Sequence, residues 1–340
     1  MAGSGVAHLR GGADPLLRAE NLVVEFPAAG GRKVHAVSDV SFDVLEGETL
    51  GLVGESGCGK STTGRALMQL PKPTSGSVRF NGTEMTTLGK KELRRTRTQM
   101  QMIFQDPIAS LNPRRRVRQI VAEGPAIWRN NMTNSPKVDE VLEAVGLDPA
   151  AVSDRWPHEL SGGQCQRVCI ARAIILDPKI IICDESVSAL DVSVQAQILN
   201  LLEDMKVRYG LTMVFIAHDL AVVKNVSDRV VVMYLGKVCE VGSPDALYRE
   251  PAHPYTKLLL ESIPSPDPLK EIPPTVAGTD QPSSFDPPSG CRFRTRCPKA
   301  RDKCAAEEPV IREVAPGQFA ACHFPEIGTT SEATMAGVAS

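Results

Sequence analysis

Residues 54–61 read GESGCGKS, directly after the apolar run Leu50-Gly51-Leu52-Val53 and directly before a helical pattern, STTGRALMQL. This fits G-x-x-x-x-G-K-[ST] in the strand–turn–helix context that such a loop needs. Glycines let the backbone curl until successive N–H groups face one anion, and the helix that follows offers its positive end. Lys60 would reach the β- and γ-phosphates of a nucleotide, and Ser61 would hold Mg²⁺. Taken alone, a Gly-rich turn between strand and helix is the competing reading; the flanking patterns argue against it.

Short strands surround this loop: LVVEF, VSFDV, TLGLVG, MVFIAHD and RVVVMYLG. SVRFNGTEM reads as a hairpin turning at Asn81-Gly82. IIICD, 180–184, is apolar until its last residue, the pattern of a parallel strand covered on both faces. Asp184 at its end would stand beside the Mg²⁺, and Glu185 where an attacking water needs a base. QAQILNLLEDMKVRYG has helical spacing and stops at Gly210.

LSGGQCQR, 160–167, makes a second backbone anion site at a helix start, without a cation. By itself it reads as a helix capped by Ser161. With a loop such as 54–61 elsewhere, it makes sense as a second jaw, closing on a γ-phosphate that another chain holds.

In their order, GESGCGKS, Gln105 in MIFQDP, LSGGQ, IIICDE, SALD (188–191) and His218 in IAHD resemble the ATP-binding subunit of ATP-binding-cassette (ABC) transporters, over about residues 17–250. The resemblance implies an α/β P-loop NTPase of ABC type: a RecA-like core sheet, an antiparallel β subdomain and a helical subdomain at about 106–165. It implies that Phe26 stacks on adenine. The backbone and side chains of Gly54, Ser56, Gly57, Cys58, Gly59, Lys60, Ser61 and Thr62 take the phosphates and Mg²⁺. Gln105 contacts Mg²⁺ and water. Glu185 is the catalytic base, and His218 orients water and γ-phosphate. Ser161, Gly162, Gly163 and Gln164 complete the partner's site in a head-to-tail dimer, and Asp191 lies in the loop joining the two sites. One departure is Ser186, where the family usually has Pro; it leaves the rigidity of that turn open.

MIFQDPIASLNPRRRV, SVSALDVSVQAQILNLL and AHPYTKLLLESIPSPDP (252–268) further resemble the second ATPase of dipeptide and oligopeptide importers. That implies a heterodimer with another ABC ATPase, two permease subunits, an extracytoplasmic peptide-binding protein and a place on the cytoplasmic face of the membrane. Importers of nickel or glycosides share these features. A soluble ABC ATPase acting on nucleic acid or ribosomes is the reading from another class. Composition opposes it: 38 Lys and Arg balance 40 Asp and Glu, and aromatics are 4%, so neither a basic surface nor stacking platforms for nucleic acid are expected. The longest apolar runs, such as Val230 to Leu235, are too short to span a bilayer, and MAGSGVAHLRGG has no secretory pattern.

Four of the nine cysteines, Cys291, Cys297, Cys304 and Cys322, follow C-x5-C-x6-C-x17-C in a small C-terminal extension, 251–325. Few apolar residues surround them, so a metal or cluster is expected to supply the core. A [4Fe–4S] cluster, which the importer resemblance implies, is preferred over zinc and over unliganded thiols or disulfides. Arg292, Arg294, Arg296 and Arg301 would offset its charge. Cys165, Cys169, Cys183 and Cys239 read as small core residues. Residues 1–16 are expected to be a loose tail, 262–290 an extended linker and 326–340 disordered.

Overall fold

A computed structural model describes residues 5–12, 14–129, 135–263 and 281–326. Among these residues the strands form two sheets. The larger, of eight strands, contains β3 (Thr49–Val53), β6 (Met100–Ile103), β7 (Ile180–Asp184), β8 (Thr212–Ala217), β9 (Arg229–Tyr234), β10 (Lys237–Gly242), β11 (Arg312–Ala315) and β12 (Gln318–Ala320). Its order is β11-β12-β10-β9-β3-β8-β7-β6. From β9 to β6 every neighbour is parallel, and the three added strands are antiparallel. The smaller sheet is antiparallel, β2-β1-β4-β5, from β1 (Leu17–Pro27), β2 (Lys33–Val44), β4 (Ser75–Phe80) and β5 (Thr83–Glu84). β4 and β5 turn at Asn81 and Gly82, both at positive φ (48° and 74°), as a tight two-residue hairpin requires.

The parallel strands are apolar on both faces because both faces are covered. Ile180 and Ile182 of β7 join one apolar cluster with Leu50, Leu52 and Ile216. Ile181 and Cys183 point the other way, into a cluster with Val53, Phe215 and Ala217. This is the period-two alternation of a strand with no solvent side. Helix α1 (Lys60–Leu67) lies so close to the sheet that a Cβ on Gly64 would press on Ile216.

Short helices fill the stretch between β6 and β7: α3 (Pro107–Ser110), α4 (Val117–Val121), α5 (Glu123–Arg129), α6 (Pro136–Ala144), α7 (Pro149–Val152) and the longer α8 (Gly162–Ile174), with α2 (Lys90–Thr96) before β6. α9 (Val192–Tyr209) ends at Gly210, whose φ of 60° provides the left-handed cap. α10 (Leu220–Val226) follows β8; α11 (Pro244–Arg249) and α12 (Pro254–Glu261) follow β10; α13 (Asp302–Ala306) belongs to the C-terminal extension.

Two expectations change. Residues 5–12 are not a loose tail: His8 is 3% exposed and its Nε2 is 2.6 Å from Ser41 O. Arg10 donates to Asp43 (2.7 Å) and Glu48 (2.5 Å), two carboxylates that Arg229 also pairs. Of the expected linker, 264–280 lies outside the described residues, but His35 N–H donates to Ser284 O at 2.9 Å, docking its end on β2. The tail from 327 on also lies outside. Cys165, Cys169, Cys183 and Cys239 are buried, as expected; burial pushes the Cys169 and Cys183 thiols up to about 12.

Candidate functional site: a phosphate cradle at the strand ends

Parallel pairing brings the separated motifs to one edge of the large sheet. Val53 pairs with Ala217, Asp184 with Ile216, and Ile103 with Cys183. The residues just past the ends of β3, β8, β7 and β6 are therefore neighbours: the 54–59 loop, His218, Glu185 and Gln105. Ligands of open α/β sheets bind at this carboxyl edge.

The loop's shape explains its glycines. Gly54 and Gly59 have φ of 152° and 101°. A Cβ on Gly54 would run into Met233 O, and one on Gly59 into Ala36 O. Gly59 is the N-cap of α1, so the helix opens at the loop. Cys58 contributes backbone: its carbonyl accepts from Gly236 N–H (2.8 Å), its side chain is fully buried, and its thiol is pushed up to about 11 by burial. Lys60 is 3% exposed, and its Nζ donates to Gly54 O (2.7 Å) and Glu55 O (3.0 Å).

Glu185 faces this lysine: Oε1 is 3.8 Å from Lys60 Nζ, and Oε2 accepts from Gln105 Nε2 at 2.9 Å. Glu185 takes a positive φ of 47°, a conformation that is held only by its surroundings. Its N–H donates to Ile216 O (3.0 Å), and its carbonyl accepts from Ser188 Oγ (2.9 Å). The turn is thus tied on both sides, and Ser186 within it is 1% exposed. Asp184 is buried; Oδ2 pairs with Arg65 at 3.4 Å, whereas Oδ1 is buried without a hydrogen-bond partner. An unsatisfied buried carboxylate oxygen suits a cation, so Asp184 fits the Mg²⁺ expectation.

His218 is exposed directly after β8. Phe26, 37% exposed, lies on β1 opposite Val34, two residues from the Ala36 carbonyl that abuts Gly59. Its ring is partly open to solvent.

The serine-glycine motif has a different setting. Ser161 Oγ accepts from Gln164 N–H (3.2 Å) while Gln164 Oε1 accepts from Ser161 N–H (3.0 Å), a reciprocal cap on α8. Gly162 packs near Leu190, and a Cβ on Gly163 would crowd Val194. Asp191 caps α9, accepting from Ser193 Oγ (2.7 Å) and Val194 N–H (3.0 Å); these bonds, the Ser193 one foremost, hold its carboxyl below the usual range. Leu190 and Val194 bring residues 162–163 and the Asp191 cap of α9 together, and among the described residues no hydrogen bond or ion pair joins residues 161–164 or Asp191 to Lys60, Glu185 or Gln105.

The C-terminal extension carries residues that sequence reasoning missed. Arg296 grips Glu55 of the phosphate loop with both nitrogens, 2.7 and 2.9 Å. Tyr255 Oη accepts from Glu55 N–H at 2.8 Å. Of the arginines expected to offset a cluster, Arg292 donates to Leu235 O, Arg294 to Ser289 O, and Arg301 lies over the Phe324 ring. The four cysteines do line one small cavity with His253, Phe293 and His323. Yet among the described residues no three His, Cys, Asp or Glu side chains stand close enough to hold a metal ion. The donor types suit a thiolate-bound group and their spacing does not, so the geometry does not carry the [4Fe–4S] expectation.

Fold and site together define an ABC-type P-loop ATPase. The family description "ABC transporter" matches residues 37–188, and "Oligopeptide/dipeptide transporter, C-terminal region" matches 239–304. YkfD of Bacillus subtilis is 53% identical over 94% of this chain and 98% of its own length. The oligopeptide transport ATP-binding protein OppF of Escherichia coli is 49% identical, over 87% of this chain and 92% of its own. The chain belongs to the ATP-binding proteins of ABC transporters, in their oligopeptide and peptide importer branch. Among solved structures, cbiO1 of Clostridium perfringens, part of the transporter complex cbiONQ, superposes with a TM-score of 0.61 at 29% identity, covering 69% of this chain and 91% of that one. The cassette MJ0796, a dimer in a post-hydrolysis state with ADP and Pi, gives 0.61 at 28%, covering 67% and 98%.

Proposed function

We propose that this protein binds and hydrolyses ATP to power import of di- or oligopeptides through a membrane permease. The observation that carries the reading is the group Lys60–Glu185–Gln105 at the mouth of the 54–61 loop, in a chain whose C-terminal region is of the oligopeptide/dipeptide type. None of the described helices is long and apolar enough to cross a membrane; in this reading a separate permease provides the path.

In this reading Lys60 leaves the loop carbonyls for the β- and γ-phosphates, and loop N–H groups and the α1 N-terminus take the remaining charge. Ser61, Gln105 and Asp184 would hold Mg²⁺, which would supply positive charge beside the phosphates; Thr62 adds a hydroxyl next to Ser61. Glu185 accepts the proton of the attacking water, His218 orients that water against the γ-phosphate, and Phe26 stacks on the base. Ser161 to Gln164 of a second ATPase close the site, and Asp191 couples the two sites. The dimeric state of the MJ0796 cassette bound to ADP and Pi, 28% identical to this chain, supports pairing of two ATPases.

The finer assignment is the second ATPase of a heterodimeric pair, with two permeases and an extracytoplasmic binding protein, bound to the cytoplasmic face of the membrane. Similarity to the OppF proteins supports it. Reconstitution with permease subunits and a peptide-binding protein of an oligopeptide importer tests it: ATP hydrolysis should rise when peptide-loaded binding protein is added. Stimulation by nickel or a glycoside instead, or assembly without membrane subunits, overturns the peptide reading.

For the extension, convergence of four thiols on one cavity supports a shared ligand, and the thiols would have to draw together to hold it. Iron and acid-labile sulfide in anaerobically purified protein would support a cluster; zinc, or no metal, would reject it.

A further inference from the structure

Arg296 lies in the cysteine-rich extension, 241 residues from the carboxylate it binds. Glu55 is an unusual neighbour for a triphosphate, since its charge sits in the very loop that has to accept an anion. Like charges near a protein surface repel more strongly the closer they stand, and Glu55 follows Gly54 in the loop, with both of their carbonyls on Lys60 Nζ. The structure answers this charge with a bidentate guanidinium: Arg296 is 12% and Glu55 27% exposed, so solvent screens the pair only in part. Arg296 is itself held by ring contacts, 5.8 Å from the centre of Tyr234 and 5.9 Å from that of Phe293. Tyr234, Tyr255 and Phe293 pack on one another at 4.7 to 5.3 Å. Tyr255 then fixes the Glu55 N–H from outside. A loop rich in glycine loses much conformational freedom when ordered, and here two anchors from the C-terminal region take up part of that cost beforehand.

We propose that Arg296 is a positioning residue of the ATP site: by clamping and neutralising Glu55 it orders the phosphate loop and makes nucleotide affinity depend on the docked C-terminal extension. This rests on the assignment of residues 54–61 as the nucleotide cradle.

The test is equilibrium binding of ATP to the full-length chain and to its variants. Arg296→Ala leaves the carboxylate of a cradle residue unpaired and should weaken binding roughly tenfold, the loss expected for a charge-assisted pair. The deficit should shrink as salt rises. Glu55→Gln removes the repulsion along with the clamp, so it should cost about two- to threefold. The double variant should bind better than Arg296→Ala alone, and Arg296→Lys should recover part of the loss. A merely structural arginine predicts the opposite: a double variant no better than the single. That result, or an Arg296→Ala affinity within about twofold of the parent at low salt, overturns the inference. If Arg296→Ala does not fold, the comparison of Arg296→Lys with Arg296→Lys/Glu55→Gln carries the same sign test. Lys60→Ala separates the two levels: if it binds ATP normally the cradle assignment itself fails, whereas its loss beside an unaffected Arg296→Ala sinks only this proposal.

Discussion

Glu185 and Lys60 face each other at 3.8 Å, with Gln105 bonded to the far oxygen of the same carboxylate. A carboxylate just past β7 and a buried cation at the start of α1 thus meet at the sheet edge, with β8 between their strands, and each can be removed separately.

Replacing Glu185 by Gln keeps the shape and the bond to Gln105 but removes the proton acceptor. Turnover should fall by about 10²- to 10⁴-fold, the usual scale of general-base catalysis, while ATP stays bound. Single-turnover hydrolysis beside an ATP-binding measurement checks this; near-normal hydrolysis would take the base role from Glu185.

Lys60→Ala removes a buried cation that donates to two loop carbonyls and faces the Glu185 carboxylate. ATP affinity should drop about ten- to a hundredfold, as for a lost hydrogen bond to a charged group. Isothermal titration of the Glu185→Gln and Lys60→Ala/Glu185→Gln variants measures it without interference from hydrolysis.

Ser161→Ala loses the reciprocal cap on α8, worth about 1 kcal/mol of stability. If the serine also completes the partner's pocket, ATP-driven dimerisation should fall far more than that stability loss explains. Denaturant unfolding and light scattering of the same variant separate the two effects; a dimer of unchanged strength would leave Ser161 as a cap alone.

Burial pushes the fully enclosed His253 down to about 4 from 6.5, and its neutral Nδ1 accepts from Tyr255 N–H. The unfolded chain therefore takes up a proton that the folded chain refuses. Stability from this group is complete above pH 6.5 and is lost as pH falls from 6.5 towards 4. His8, also lowered chiefly by burial, adds in the same direction. Between pH 7 and 5 the His253 part amounts to about 2 kcal/mol. His253→Asn keeps a capping side chain and should flatten the slope over this range, as read by urea unfolding at successive pH values.

Much of the site was legible in short windows of sequence. Leu50 to Val53 before GESGCGKS, and IIICD before Glu185, showed where strands end and which side chains lie at their ends, because period-two burial and glycine requirements are local properties. Local reading failed where an apolar or charged residue finds its partner far along the chain. The opening segment looked loose because its composition is small and polar, yet His8 and Arg10 reach Ser41, Asp43 and Glu48. The extension's arginines lay between cysteines and seemed to serve them, yet Arg296 reaches back to Glu55.

Nucleotide chemistry, then, was already specified by the order and spacing of residues: a cradle, an acidic strand end and a serine-glycine helix start each hold their meaning within a few neighbours. Tertiary structure alone decided which of these meet. It set Gln105 and Lys60 on the Glu185 carboxylate, and brought Gly163 against Val194 of α9. It also closed the C-terminal extension onto the loop through Glu55. Parallel strand register and long-range ion pairing arise from packing between distant segments, and no local periodicity records that packing.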